Sequence, residues 1–484
     1  MTGQDQAPNI LLLMPDQMRG DCLSLAGHPV LLTPNMDQIG GQGAFFTHAY
    51  STCASCIPAR RSLLTGQAPA THGMVGFVDG VPLTAPTLPE QLGQAGYRTA
   101  LVGRTMHQYP ADAAYGFETR NLGSTYRQDD AYAAMLETAA PGFGGIRGLG
   151  LSFNGWQARP WPLPDALHPT HWTVQQSREF IAADTSDERP LFLTTSFYAP
   201  HPPLCPPSFY MERYLRQALP PAAMGDWVDA PAQQGWAEGV DAHHVRLEGE
   251  ALRSAQAGYF GLINHIDDQL TWLIPEFQAR SRAMGRPWVI VLTSDHGEML
   301  GDHALFRKCE PYEGASRIPF LIWAAPELGF KPSLVCEQPV SLEDVMPTLL
   351  ELAGVSIPDG VDGRSLVPVL RGEAREILPW SHGPWLHGEH APCYGPEQAY
   401  HFLTDGREKY IWRPLDGAEQ LFDLRADPQE LHNLAGDPPG VWRIARWRAR
   451  LIEILAERPE GFTDGERLIP GRSYPPVLPH AQRP

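Results

Sequence analysis

Apolar residues fall along this chain in short unbroken runs that alternate with stretches at helical spacing. The runs are Asn9–Met14, Thr99–Val102, Leu191–Phe197, Trp288–Thr293 and Pro319–Trp323. Runs this short and continuous predict strands buried on both faces of a parallel sheet. Between them, Thr87–Gly96, Thr173–Ala183 and a long stretch from about Glu248 to Ile274 read as helices. Another helix is expected after the last run. Ser341 and Asp344 form a capping pattern there, Leu342, Val345, Leu349 and Leu352 recur at helical spacing, and Gly354 can end it, with Pro347 as an alternative first turn. Strands alternating with helices predict an α/β fold whose large, mostly parallel sheet is flanked by helices on both faces.

The texture changes near residue 370. Tyr400–Leu403, Lys409–Trp412 and Gln420–Asp423 are separated by Asp405-Gly406 and Asp416-Gly417, the pattern of a small antiparallel sheet. A helix from Val441 to Ala456 and a Pro-rich tail follow. The expected organisation is an α/β domain over residues 1–370 and a C-terminal α+β subdomain over 371–484. Tyr109–Pro169 and Pro202–Arg246 show no clear period, so they are expected to be long loops that wall or cover a site.

Composition narrows the function. The 484 residues carry a net charge of −18, which disfavours nucleic acid as a partner. Hydrophobic residues make up 43%, enough for a sizeable core rather than a disordered chain. The N-terminal stretch has no signal-like core, and no run approaches the roughly 20 apolar residues of a membrane span. A soluble, cytoplasmic protein without membrane contact is the expectation. Seven cysteines, an odd number spread along the chain, do not make a disulfide scaffold.

In open α/β sheets ligands bind at the carboxyl ends of strands. The residues just after the predicted strands are Asp16 and Gln17; Arg104 and His107; His201; and Asp295 and His296, with Lys308 a little further on. Two acids, an amide and an imidazole can make an oxygen-rich site for a hard divalent cation, leaving Arg, Lys and His to face an anion. That set suggests metal-assisted sulfuryl or phosphoryl transfer. Cys53 and Cys56 have the spacing of a redox pair or half a zinc site, but a second ligand pair is missing and the motif does not open a small βαβ unit.

The stretch Cys56-Ile-Pro-Ala-Arg60-Arg-Ser-Leu-Leu-Thr-Gly66 resembles the sulfatase family motif, in which the cysteine is oxidised after translation to formylglycine. Further blocks carry the resemblance along nearly the whole chain: Pro8 to Gln17, Thr33 to Asp37, Ala199-Pro-His201, Ser294 to His303 and Leu421 to Leu434. The resemblance implies the alkaline phosphatase-like fold, a large α/β domain with a smaller C-terminal antiparallel sheet. It also implies Ca²⁺, or Mg²⁺ or Mn²⁺ in its place, held by Asp16, Gln17, Asp295, His296 and the modified Cys56. By the same resemblance, Arg60 holds the formylglycine, Lys308 and Arg104 meet the sulfate, His201 protonates the leaving oxygen and His107 assists breakdown of the covalent intermediate. The implied partners are a small-molecule or sugar sulfate ester and, during maturation, a formylglycine-generating enzyme. A homo-oligomer is compatible with this reading.

Two positions depart from the family pattern. Gln17 stands where a second Asp is usual, and phosphonate monoester hydrolases also resemble Asp-Gln here, so phosphonate monoester or phosphodiester hydrolysis on the same machinery is the alternative. A relative that binds sulfated ligands without catalysis is a further one. Arg104 stands where Lys is usual. Lys308, by contrast, is one of only three lysines against 34 arginines, which marks its position as selected. Elsewhere, His265 with Asp268 reads as a packed or solvated helical pair, Gly142–Gly148 as a loop, and His243-His244 as surface. Trp380, His382, Trp385, His387 and His390 are expected either to line a pocket near the junction with the C-terminal subdomain or to form an ordinary packed interface there.

Overall fold

A computed structural model describes residues 7–105, 109–124, 127–183, 186–228 and 239–482. Its centre is the Asn9–Asp16 strand, every residue of which is buried. This strand pairs in parallel with Leu191–Pro200 on one side and Trp288–Thr293 on the other. Alternation of side chains across the pleat then builds two cores. Leu11 and Leu13 pack into a layer with the Gly249–Ala283 helix. Ile10, Leu12 and Met14 face the opposite layer, with the Cys56–Thr65 and Val345–Leu352 helices. Burying each such side chain is worth about 1.5–3 kcal/mol, so the strand that ends in Asp16 is anchored from both faces.

The sheet has eight strands, in the order Leu334–Cys336, Ala44–Phe46, Phe320–Ala324, Trp288–Thr293, Asn9–Asp16, Leu191–Pro200, Arg98–Gly103 and Thr119–Leu122. It is mostly parallel, as expected, but Phe320–Ala324 runs antiparallel to both its neighbours. A second sheet of four antiparallel strands comprises Leu386–His390, Tyr400–Thr404, Glu408–Trp412 and Glu419–Asp423, with the Pro438–Leu455 helix after it. Among the described residues no helix is long and apolar enough to cross a membrane.

Three differences from the sequence reading have physical causes. The long helix continues past Pro275 to Ala283, because Phe277 and Ser281 extend its buried stripe and outweigh the hydrogen bond that proline removes. The stretch expected to be a loop from Tyr109 holds the edge strand Thr119–Leu122 and the helix Ala131–Ala139, whose N-terminus Asp130 caps by accepting from Ala133 N at 2.8 Å. Tyr132, Leu136, Ile146, Leu149, Trp161 and Trp172 give this region a small core of its own. Within the other stretch, Ser208–Leu215 is a helix packed on the Gly249–Ala283 helix. After Ser341 both sequence readings hold in part: Ser341 N donates to Asp344 at 3.1 Å, a 3₁₀ turn follows, and the α-helix proper starts at Val345 with Pro347 in its first turn.

Candidate active site

Four strand ends and one helix N-terminus converge on a buried acidic point. Asp16 closes its strand at a register shift, and Gln17 turns the chain with a φ of 68°. Asp295 and His296 follow the Trp288–Thr293 strand, and Cys56 opens the Cys56–Thr65 helix. One ligand atom each from Asp16, Cys56, Asp295 and His296 lies within 4.8 Å of the others, and all four residues are buried. At the neighbouring strand end, Gly103 has a φ of 99°, and a Cβ there would lie 2.1 Å from Ser196 O. Only glycine lets Arg104 leave the sheet at this point.

Positive charge balances the two acids. Arg60, one turn into the helix, donates from Nε to Asp295 Oδ2 at 2.9 Å and from a terminal nitrogen to Asp16 Oδ2 at 2.8 Å. Its other terminal nitrogen donates to Ser196 Oγ at 3.2 Å. Arg104, fully buried, places Nε 2.9 Å from Asp16 Oδ2 and its guanidinium over the Tyr198 ring. The sequence had aimed Arg104 at sulfate; in this structure its Nε pairs with the acid. Burial works to raise the pKa of Asp295, but His296 and Arg60 outweigh it and hold the carboxyl well below the usual range. In Asp16 burial prevails, and its carboxyl is raised despite Arg104 and Arg60.

Donor chemistry fits a divalent cation. Asp16 Oδ1 is buried without a hydrogen-bond partner among the described residues, which a bound cation would correct. His296 directs Nε2 at Cys56 Sγ, 3.1 Å away, and its Nδ1 meets Gly297 O at 2.9 Å, the second contact that orients a ligating imidazole. Gln17, the remaining expected ligand, faces elsewhere: Oε1 accepts from Lys308 Nζ at 2.7 Å, and Nε2 donates to buried Glu298. The Cys56 thiol is lowered, since Lys308 and His296 overcome the upward push of burial.

Lys308 also joins His201, with Nζ 3.0 Å from His201 Nε2. His201 Nδ1 lies 2.7 Å from Pro202 O, so the ring proton belongs on Nδ1 and Nε2 accepts from the ammonium. Burial, then Lys308 and Arg104, push the His201 pKa well below its ordinary value, which keeps the ring neutral. His107 lies outside the described residues.

The remaining candidates separate. His243 is a correction: it is buried, with Nε2 2.9 Å from Glu310 and Nδ1 2.8 Å from Phe306 O, while His244 is exposed. Its supporting acid lies 67 residues away, beyond any local pattern. His265 is packed in the core against Tyr210 and His168, and Gly145–Leu149 is a 3₁₀ turn. His387 and Trp385 pack within the small sheet and its helix, whereas His390 reaches toward the site, Nε2 meeting Ser55 Oγ at 2.9 Å. Sequence reasoning missed Glu298 and Ser196 as supports. Glu298 stands two residues after His296 and was legible as an acid in that block; Ser196, inside an apolar strand, had no such signal.

The chain is similar to known proteins along most of its length. The Sulfatase family pattern matches residues 8–355, and the pattern for the N-sulphoglucosamine sulphohydrolase C-terminal region matches residues 301–456. An arylsulfatase of Clostridium perfringens is 36% identical over 97% of this chain and 98% of its own length. A choline-sulfatase of Rhizobium meliloti is 32% identical over 90% of this chain and 83% of its own. Among solved structures, a phosphonate monoester hydrolase from Silicibacter pomeroyi superimposes with a TM-score of 0.75 at 26% identity, covering 97% of this chain and all of that one.

Proposed function

The chain belongs to the sulfatase family, and from that premise we propose that it is a sulfuric ester hydrolase, splitting a small organic or sugar sulfate monoester into alcohol and sulfate. The observation that carries the reading is the meeting of Asp16, Asp295, His296 and Cys56 within one 4.8 Å cluster, ringed by Arg60, Arg104 and Lys308. We assign Cys56 as the residue converted to formylglycine, whose hydrate carries the attacking oxygen. Asp16, Asp295 and His296 would hold calcium, which when bound supplies Lewis-acid polarisation and orientation of the nucleophile.

The chain's own groups do the rest. Arg60 spans Asp16 and Asp295 and keeps both carboxylates aimed at one point. Lys308, held between Gln17 and His201, would meet the substrate's equatorial oxygens, where a preorganised cation in a buried site stabilises the charge that develops. Lys308 and His201 share one proton line, from Nζ to Nε2, and this pair delivers the proton that the leaving oxygen needs. The experiment is mass spectrometry of the Cys56 peptide from protein made with a formylglycine-generating enzyme. Exchange of the thiol for an aldehyde is expected, and Cys56→Ala should abolish turnover without unfolding the protein; a fully active Cys56→Ala would remove the mechanism.

Two observations favour a second reading. Gln17 and the similarity to a phosphonate monoester hydrolase suit a phosphonate or phosphate diester on the same machinery. Parallel kinetics on an aryl sulfate and an aryl phosphonate monoester separate the two; sulfate is expected to give the higher kcat/KM.

A further inference from the structure

Beside the site lies a second group of thiols that the proposed chemistry does not use. Cys309 Sγ donates to Cys393 Sγ across 3.1 Å, and His390 completes the cluster. Cys309 is buried and follows Lys308 directly, in a backbone held at a φ of 67°. Its N–H donates to Ala54 O at 2.9 Å, two residues before Cys56. Cys393 is half-buried, just after the Leu386–His390 strand of the small sheet, so solvent species reach it. Three pieces of chain from distant parts of the sequence therefore meet at this pair: the loop of Lys308, the approach to Cys56, and the end of the first strand of the small sheet.

We propose that Cys309 and Cys393 form an oxidisable pair that closes to a disulfide and thereby shifts Lys308. Geometry favours a disulfide over a metal centre. Two thiolates on a tetrahedral zinc, with bonds of about 2.3 Å, stand about 3.8 Å apart, farther than the 3.1 Å here; a disulfide needs about 2 Å, a closure of roughly 1 Å. The Cys393 thiol is also the better nucleophile: the hydrogen bond from Cys309, with Lys308 and Arg307, lowers its pKa against burial. A peroxide supplies the oxidising power. Cys393 thiolate attacks one peroxide oxygen, the O–O bond breaks to give a sulfenic acid, and the departing hydroxide takes up the proton that the Cys393 thiol had released and leaves as water. Cys309 sulfur then attacks that sulfur, the S–O bond breaks, and a second water leaves with the thiol proton. Two thiols and one hydrogen peroxide become one disulfide and two waters.

Closure pulls on the residue after Lys308, whose Nζ is held by Gln17 and His201. A displacement of that size at a catalytic cation costs on the order of tenfold or more in turnover. This consequence for turnover rests on the sulfatase reading; the cross-link does not. The test treats the mature full-length protein with hydrogen peroxide, alkylates the remaining thiols and maps peptides by mass spectrometry. A Cys309–Cys393 cross-link that dithiothreitol reverses is expected. In parallel, aryl sulfate turnover should fall on the order of tenfold and recover with dithiothreitol, and the Cys393→Ser protein should not respond to peroxide. Both cysteines still alkylated after peroxide would overturn the proposal, as would zinc that copurifies one per chain and is lost in Cys309→Ser. A cross-link formed in protein that turns over neither sulfate nor phosphonate would sustain the pair and count against the sulfatase reading alone.

Discussion

Replacing Gln17 with Glu changes an amide nitrogen to an oxygen and nearly nothing in shape, so it isolates the charge at this position. Gln17 and Glu298 are both about fully buried, and Gln17 Nε2 donates to Glu298 while Oε1 accepts from Lys308 at 2.7 Å. In the variant two carboxylates would meet about 3 Å apart, a repulsion of about 5 kcal/mol at an effective dielectric near 20. Attraction to Lys308 is of similar size and cancels most of it. What is left is the desolvation of a new buried charge and the lost hydrogen bond, together about 3–5 kcal/mol. The carboxyl's folded pKa would stand above its unfolded value, so the variant keeps its stability below about pH 4.3 and loses it as pH rises. Chemical denaturation in the presence of a chelator, at pH 5 and at pH 8, should therefore show a gap from wild type that widens with pH. Adding Glu298→Gln reverses donor and acceptor and leaves one charge, so the double variant should recover most of the loss. A Gln17→Glu protein within about 1 kcal/mol of wild type at pH 8, or a double variant no better than the single, would refute this account of why an amide stands here.

Arg60→Ala strips a partner from two buried carboxylates, which should cost about 3–5 kcal/mol in chelator; calcium should restore more stability to it than to wild type by thermal unfolding, and an equal calcium response would count against a shared cation pocket. Glu343, buried and hydrogen-bonded by Thr52, is pushed up to about 7 by burial. Its contribution is intact below about pH 4.5 and lost as pH rises through 7, about 3 kcal/mol in all, so Glu343→Gln should gain that much on wild type between pH 5 and 8.5 in isothermal denaturation. His201→Ala should slow alkyl sulfates far more than nitrophenyl sulfate, because a good leaving group needs no proton; equal losses on both would take the proton relay away from this residue.

The central strands were legible because burial on both faces leaves an unbroken apolar run, and Asn9–Met14 and Trp288–Thr293 are such runs. Leu386–His390 was not, since His387, Glu389 and His390 break its apolar pattern and their partners lie on other elements: His387 on His401, Glu389 on Arg458 and Tyr474, and His390 on Ser55. At the site, residue identities were readable from the strand ends and the Cys56 motif, but orientations were not. The sequence listed Gln17 among the ligands; which way its amide points depends on Glu298 and Lys308, 281 and 291 residues away. Arg104 is similar, because its pairing with Asp16 depends on the register between two strands that both flank Leu191–Pro200.

That orientation bears on the chemistry. His201 commits its ring proton to Pro202 O and accepts from Lys308, so the proton between the two sits on the ammonium, where the proposed relay would start. A neutral amide at position 17 accepts from that ammonium without fixing it as an ion pair. An aspartate would hold the charge more tightly, yet its shorter side chain would lose contact with Glu298 and leave that buried acid without the amide donor. Glu298, already raised by burial, would then have Leu300 and Arg307 backbone N–H groups as its remaining donors. The amide at position 17 thus follows from the acid behind it. Gln17 and Glu298 act as one unit, and substitutions that treat the amide as a missing second aspartate should fail unless Glu298 is changed with it.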